Sequence, residues 1–114
     1  MRYYTAPVDM LAGILAENIT GDRNDFDEIE IDGIYYSFDL RDEEEHETRY
    51  TGVEFMGARE TYVHTTHSVG IQYIGAYDQE GEDVTPEINM TALLKEIEAY
   101  SDDYNRINAY EMAA

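Results

Sequence analysis

The chain has 114 residues, and its 26 acidic against seven basic side chains leave a formal net charge of −19 at pH 7. This charge excludes direct nucleic-acid binding and docking on anionic membranes, because both depend on Lys and Arg. The absence of cysteine excludes disulfides and thiolate metal sites, whereas a hydrophobic content of 43%, with 11 Tyr, predicts a folded chain.

The length predicts one domain, residues 1–114, with a single core. No apolar run approaches the length of a membrane-spanning helix, and the N-terminus lacks a basic segment followed by an apolar one. We therefore expect a soluble protein of the cytoplasm.

The first predicted element is a short amphipathic helix from Val8 to Asn18. Its apolar residues recur at helical spacing. Pro7 suits the start of a helix, and Asp9 interacts favourably with the positive end of the helix dipole. The polar residues 20–25 are expected to end the helix.

A β-hairpin is predicted next. Asp32-Gly33 supplies the positive-φ pair that a two-residue type I′ turn requires. This turn places Ile31 opposite Ile34, and the resulting register puts the apolar residues on one face. That face consists of Ile29, Ile31, Ile34, Tyr36, Phe38 and Leu40.

Charge dominates the segment that follows. Arg41 to Glu47 is predicted to be an exposed, mobile loop, because five carboxylates in seven residues repel one another. A strand is expected over Thr48–Met56, and Gly57-Ala58 can turn it back. Residues 61–77 contain no Asp, Glu, Lys or Arg, which is typical of a sheet interior, and they form either two strands or one long bulged strand.

A second helix is predicted to start at Thr85-Pro86 and to reach about Tyr110, because apolar residues follow helical spacing; Ser101-Asp102-Asp103 could interrupt it. The order of elements predicts an α+β fold. It would be an antiparallel four- to five-stranded meander, with the N-terminal and C-terminal helices packed on one face.

No catalytic or metal-binding pattern stands out. The serines lack the context of a nucleophile, and no phosphate-binding glycine loop is present. Phe26 occupies the position of a calcium loop that needs an oxygen ligand. His64 and His67 are three residues apart and would point to opposite faces of a strand. We therefore predict no enzymatic activity, no cofactor and no metal site.

The charge itself favours a basic partner protein. Solubility requires a net charge of only about 2 to 8, whereas a strong negative field speeds encounter with basic grooves. A compact domain of this size would span about 35 Å, over which duplex DNA carries about 20 charges. The net charge of −19 would therefore match the linear charge density of duplex DNA. The candidate contact residues are Asp39, Asp42, Glu43, Glu44, Glu45, Glu47, Glu96, Asp102, Asp103 and Tyr35.

In size, acidity and lack of cysteine the chain resembles small phage and mobile-element proteins that inhibit restriction, CRISPR or repair enzymes by mimicking DNA. The resemblance implies a DNA-mimic inhibitor of a nucleic-acid-binding enzyme or regulator, which would lie in the host cytoplasm if a phage encodes it. Two alternatives stay open. One is an assembly protein that forms a homo-oligomer, for example a homodimer, and the other is a small domain adapted to high salt. The candidate oligomer contacts are Tyr3, Tyr4, Tyr35, Tyr104, Ile107 and Tyr110.

Overall fold

The computed structural model describes residues 6–21 and 28–112. In this part of the chain the protein is an α+β fold with two helices and a four-stranded mixed sheet, and neither helix is long and apolar enough to cross a membrane. The predicted fold class, the number of helices and the number of strands are therefore confirmed. The elements are α1 (Val8–Thr20), β1 (Glu28–Ile31), β2 (Ile34–Phe55), β3 (Ala58–Tyr77), α2 (Met90–Glu98) and β4 (Asn105–Glu111).

The first helix forms where the sequence predicts, although it ends at Thr20 instead of Asn18, and residues 22–25 of the predicted loop lie outside the described residues. The first hairpin forms as predicted. In the hairpin, Asp32 has φ 51° and Gly33 has φ 80°, as a type I′ turn requires. Ile31 pairs with Ile34, and the predicted apolar face is buried along β1 and the first residues of β2. The Glu30 carboxylate also accepts a hydrogen bond of 2.9 Å from the backbone N–H of Gly33.

Strands β2 and β3 form one long antiparallel hairpin. The turn consists of Met56 (φ 51°) and Gly57 (φ 81°), one residue earlier than predicted. Residues 61–77 belong to a single strand, which resolves the alternative left open by the sequence. Ile74 is the extra residue of a bulge, because Phe38 pairs with Tyr73 and Ser37 with Gly75.

Residues 41–47 lie within β2, so the prediction of a mobile loop is wrong, although the predicted exposure is confirmed. Two features accommodate the carboxylates. Successive side chains of a strand point to opposite faces, and the residues that face them on β3 carry no carboxylate. For example, Glu43 pairs with Ser68 and Glu45 with Thr66.

The prediction of one long C-terminal helix is also wrong. The Asn89 side chain accepts a hydrogen bond of 3.1 Å from the Ala92 N–H and caps α2, which therefore begins at Met90. Thr85 cannot start the helix because its hydroxyl accepts a hydrogen bond of 3.0 Å from the Ala76 N–H and so ties this segment to β3.

Beyond α2 the chain forms a strand instead of continuing the helix. The Asp102 carboxylate accepts hydrogen bonds of 2.8 Å from the backbone N–H groups of Tyr104 and Asn105, which turns the chain. Strand β4 then pairs with β3 in parallel, with Asn105 opposite Thr65. The sheet, with strand order β1-β2-β3-β4, is therefore mixed and not the purely antiparallel meander that the sequence predicts.

Both helices and all four strands contribute residues to one hydrophobic cluster. That the two helices cover the same face of the sheet stays a prediction. The side chains with the least exposure include Leu11 and Leu15 of α1, Ile71 of β3, and Leu93 and Ile97 of α2. The β2–β3 hairpin continues past this cluster, and every residue from 41 to 61 is exposed.

The molecule is long rather than compact, with extents of 68 × 27 × 23 Å and a radius of gyration of 17.5 Å. The described residues include 23 acidic and five basic side chains. Their net charge of −18 along 68 Å amounts to about one charge per 4 Å, whereas duplex DNA carries one per about 1.7 Å. The expectation that the whole molecule matches the linear charge density of duplex DNA is therefore wrong.

Candidate functional site

The projecting part of the β2–β3 hairpin is the most distinctive surface of the molecule. We call residues 41–64 the β-arm and residues 42–47 within it the acidic stretch. The regular apolar alternation of β2 ends at Leu40, so the strand has no further hydrophobic face to bury. Strand β4 pairs with β3 only from Thr65 to Ile71. The distal part of the β-arm therefore has two strands and no covering layer among the described residues.

The acidic stretch presents carboxylates on both faces of β2. Asp42 and Glu44 lie on the face that continues the core, whereas Glu43, Glu45 and Glu47 lie on the opposite face. Asp39 shares the face of the latter group. A row of carboxylates thus runs along one strand, and the paired residues of β3 do not neutralise it.

One edge of β2 is unpaired over most of its length. Strand β1 pairs only with residues 34–37 of β2, so beyond Ser37 the outer edge of β2 meets no other strand of the described residues. From Arg41 to Phe55 every residue along this edge is exposed, the carboxylates included. A partner can therefore approach the acidic stretch from the side as well as from either face.

The other candidate residues are distributed around the molecule. Glu96 on α2 lies beside Asp9, at the start of α1, and partial burial followed by the charge of Asp9 raises the pKa of Glu96 above its ordinary value. The acidic stretch lies near the opposite end of α1, where Asn18 and Gly21 border the same cavity as Asp42. Glu96 is therefore separated from the acidic stretch by the length of α1.

Tyr35 lies apart from the acidic stretch too. It is half-buried and pairs with Tyr77, at the end of the β2–β3 ladder opposite the arm. Asp102 is committed to the turn before β4. Asp102 and Asp103 both lie beside the arm, because they line an open cavity together with the arm residues Arg49 and His64. Asp103 also lines a groove with Tyr50 and Tyr62.

The tip of the β-arm carries exposed apolar side chains that sequence reasoning missed. Val53, Phe55 and Met56 are 51%, 75% and 91% exposed. In the sequence their alternation with polar residues looks like a strand with a buried face, but nothing in the described residues covers that face. Near them, the Arg59 guanidinium lies 5.3 Å from the centre of the Tyr50 ring.

The negative charge is not confined to the β-arm. The arm contains seven of the 23 described acidic residues and three of the five basic ones. Two of its three arginines form ion pairs within it, Arg49 with Glu47 at 3.3 Å and Arg59 with Glu54 at 3.5 Å. The arm is thus acidic over residues 42–47 and nearly neutral toward its apolar tip, whereas the described residues outside the arm include 16 acidic and two basic side chains.

The two buried histidines have separate surroundings. Residues 64 and 67 alternate in β3, so their side chains leave opposite faces of the strand. His64 Nδ1 lies 2.9 Å from the backbone oxygen of Asp103, whereas His67 contacts Asp42 and Asn105. The structure therefore does not bring the two histidines together.

No family model matches the chain, and neither the curated proteins nor the solved structures include a match. Function is therefore inferred from the geometry of the β-arm.

This geometry suits binding to a basic protein surface. A strong negative field would attract a basic partner from a distance and raise the rate of encounter. The large exposed side chains of Phe55 and Met56 could then enter a pocket of that partner, and such buried contacts contribute most of the affinity at protein interfaces.

Proposed function

We propose that the protein is a non-enzymatic acidic binding protein that occupies the nucleic-acid-binding surface of a basic protein and inhibits it, as a DNA mimic does. The observation that carries this proposal is the extended acidic stretch on a projecting arm. Its carboxylates lie on both faces of a single strand, and none of them is paired with another carboxylate on the neighbouring strand β3.

The spacing of these charges supports mimicry of a single nucleic-acid strand. A β-strand rises about 3.3 Å per residue, and one strand of DNA carries one phosphate per about 3.4 Å. Five of the six residues from Asp42 to Glu47 are acidic. The acidic stretch thus repeats the axial charge spacing of one strand, although the molecule as a whole has less than half the linear charge density of a duplex.

A comparison of two variants with equal charge tests the proposal. In the arm variant Glu43, Glu45 and Glu47 are changed to Gln, and in the control variant the exposed Glu80, Glu82 and Glu87 are changed to Gln. Each tagged protein is used to capture the heparin-binding fraction of a lysate from its own source cells, and bound proteins are eluted with single-stranded or duplex DNA. We expect the wild type and the control variant to capture one nucleic-acid-binding protein that DNA releases, and the arm variant to lose it.

The same capture experiment has two outcomes that would contradict the proposal. If the arm variant captures the same protein as the wild type, the acidic stretch does not make the contact. If DNA does not release the captured protein, the contact lies outside its nucleic-acid-binding surface.

Homo-oligomer assembly is a second candidate, favoured by the exposed tip residues Phe55 and Met56 and by the unpaired edge of β2. The contact surface predicted from the sequence needs correction, because Ile107 is only 2% exposed and lies in β4 rather than in a helix. Tyr104 and Tyr110 are exposed, Tyr35 is half-buried, and Tyr3 and Tyr4 lie outside the described residues. Sedimentation of the wild type and of Phe55→Ser across protein concentrations tests this candidate. Only assembly predicts that the mass of the wild type rises with concentration and that the mass of the variant is lower.

A further inference from the structure

A cluster of metal-ligating side chains lies where the β-arm leaves the core. Asp42 and Glu44 are two residues apart on the same face of β2, and His67 pairs directly with Glu44 across the ladder. His67 Nδ1 lies 3.1 Å from Asp42 Oδ2 and 3.6 Å from Glu44 Oε1. One ligand atom from each residue lies within 4.8 Å of the other two, so one ion could contact all three.

His67 is held in a defined orientation. Its side chain is only 4% exposed, and its Nε2 lies 3.0 Å from the side-chain oxygen of Asn105 on β4. An N–H at Nε2 that donates to this amide oxygen leaves Nδ1 directed at the two carboxylates. Histidine ligands of metals are typically oriented by such a hydrogen bond from the other ring nitrogen.

The surroundings of the cluster favour a cation. Asn18, Ile19 and Gly21, at the C-terminal end of α1, line a cavity of about 150 Å³ together with Asp42 and Glu44. The C-terminal end of a helix carries partial negative charge, and the last turn of α1 has no basic residue. Among the described ion pairs, none joins an Arg or Lys to Asp42 or Glu44.

We propose that Asp42, Glu44 and His67 bind one divalent transition-metal ion of the Zn²⁺ type, with Asn105 as the residue that orients His67. An imidazole with two carboxylates is a ligand set that Zn²⁺ accepts, whereas Ca²⁺ and Mg²⁺ prefer oxygen ligands alone. The cavity beside α1 leaves room for water as a further ligand. His46, whose Nε2 lies 3.5 Å from the other oxygen of Glu44, borders the site on its exposed side.

This inference departs from the sequence-based prediction of no metal site. That prediction weighed His67 with His64, because they are close in the sequence. The register of β2 and β3 brings His67 to two carboxylates that precede it by more than 20 residues, and their spacing along the chain does not reveal this. The proposed ion site does not depend on the proposed inhibitory function.

Titration of the full-length protein with Zn²⁺ in the presence of excess Mg²⁺ tests the site, because Mg²⁺ occupies weak carboxylate sites elsewhere. Binding is measured by calorimetry, and the ring nitrogens of His67 are followed by NMR. We expect one equivalent of Zn²⁺ to shift the Nδ1 signal of His67. Asn105→Ala should weaken binding by about 10- to 100-fold, as is typical when the residue that orients a ligand is removed.

Two further variants keep the test decisive. Asp42 is partly exposed, so Asp42→Asn should fold, as circular dichroism would check, and it should lose the one-equivalent binding. The matched control is Glu80→Gln with Glu82→Gln, which alters the cluster Asp78, Glu80 and Glu82 and should leave Zn²⁺ affinity unchanged. The proposal is overturned if Zn²⁺ leaves the His67 signals in place, or if Asp42→Asn and the control pair change binding equally, since binding would then be adventitious.

Discussion

At the scale of single residues, Glu96 shows how a partly buried carboxylate beside another acid opposes folding. Its pKa is raised above the ordinary value of 4.5, first by partial burial and then by Asp9. A carboxyl with a raised pKa in the folded state binds its proton more tightly there than in the unfolded chain. Stability therefore decreases as the pH rises through the folded-state pKa, and at pH 7 the ionised Glu96 destabilises the protein.

From this sign we predict that Glu96→Gln raises the midpoint of thermal unfolding at pH 7. The difference from the wild type should shrink as the pH falls and disappear below 4.5, the ordinary pKa, where Glu96 is protonated in both states. Thermal unfolding followed by circular dichroism at pH 7, 5 and 4 measures this, with the exposed Glu87→Gln as the control. An equal shift for Glu96→Gln at all three pH values would show that ionisation of Glu96 is not the cause.

The sequence identified the acidic stretch by composition, but not the site at its base. Charge density alone marks residues 42–47 as exposed, and that holds in the structure. The proximity of Glu44 and His67 depends on the register of two strands, which only the complete sheet defines. The exposure of Phe55 and Met56 depends on the lack of a covering layer, and no local pattern in the sequence indicates that.

At the scale of elements, the turn at the tip of the β-arm is suboptimal. Met56 adopts φ 51°, a conformation that costs a residue with a side chain roughly 1 to 2 kcal/mol. Asparagine tolerates this region, and Asn-Gly is a preferred type I′ pair. We predict that Met56→Asn stabilises the arm by up to about 1 kcal/mol, measured as slower hydrogen exchange of the arm amides near the turn.

The neighbouring glycine supplies the opposite control for the turn. Gly57 has φ 81° and no atom near the position of an added Cβ, so Gly57→Ala should destabilise the arm through backbone conformation alone. The prediction for Met56→Asn is contradicted if hydrogen exchange is unchanged in that variant while it is faster in Gly57→Ala. The Met56 side chain would then stabilise the arm by as much as its backbone conformation destabilises it.

Elements with local signals were predictable and those with distant partners were not. Helix α1 and the Asp32-Gly33 hairpin depend on residues close in sequence, and both form where predicted, with α1 ending at Thr20 instead of Asn18. The C-terminal prediction failed because Ile97 and Ile107 fit one helical period although they are buried in different elements, α2 and β4. Residues 105–111 form a strand because they pair in parallel with β3, whose partner residues lie 40 positions earlier in the chain.

At the scale of the whole molecule, self-repulsion should make stability depend on salt. The described residues carry a net charge of −18 that is not confined to the β-arm, so screening should stabilise the folded state. We predict that the midpoint of thermal unfolding rises between about 0.01 and 0.15 M NaCl, as the Debye length falls from about 30 to 8 Å, and changes little above that range. A midpoint that keeps rising into molar salt would instead support the alternative of a domain adapted to high salt.

The unpaired edge of β2 has a consequence for the purified protein in solution. A long exposed edge strand is a template for pairing with another chain, and charged side chains along it normally prevent this. Here those charges are carboxylates, and the isoelectric point is about 4.1. Near that pH the carboxylates along the edge lose much of their charge, so we expect acidification to yield strand-paired aggregates rather than dispersed monomers. Storage and purification near neutral pH keep the edge charged and the chains apart.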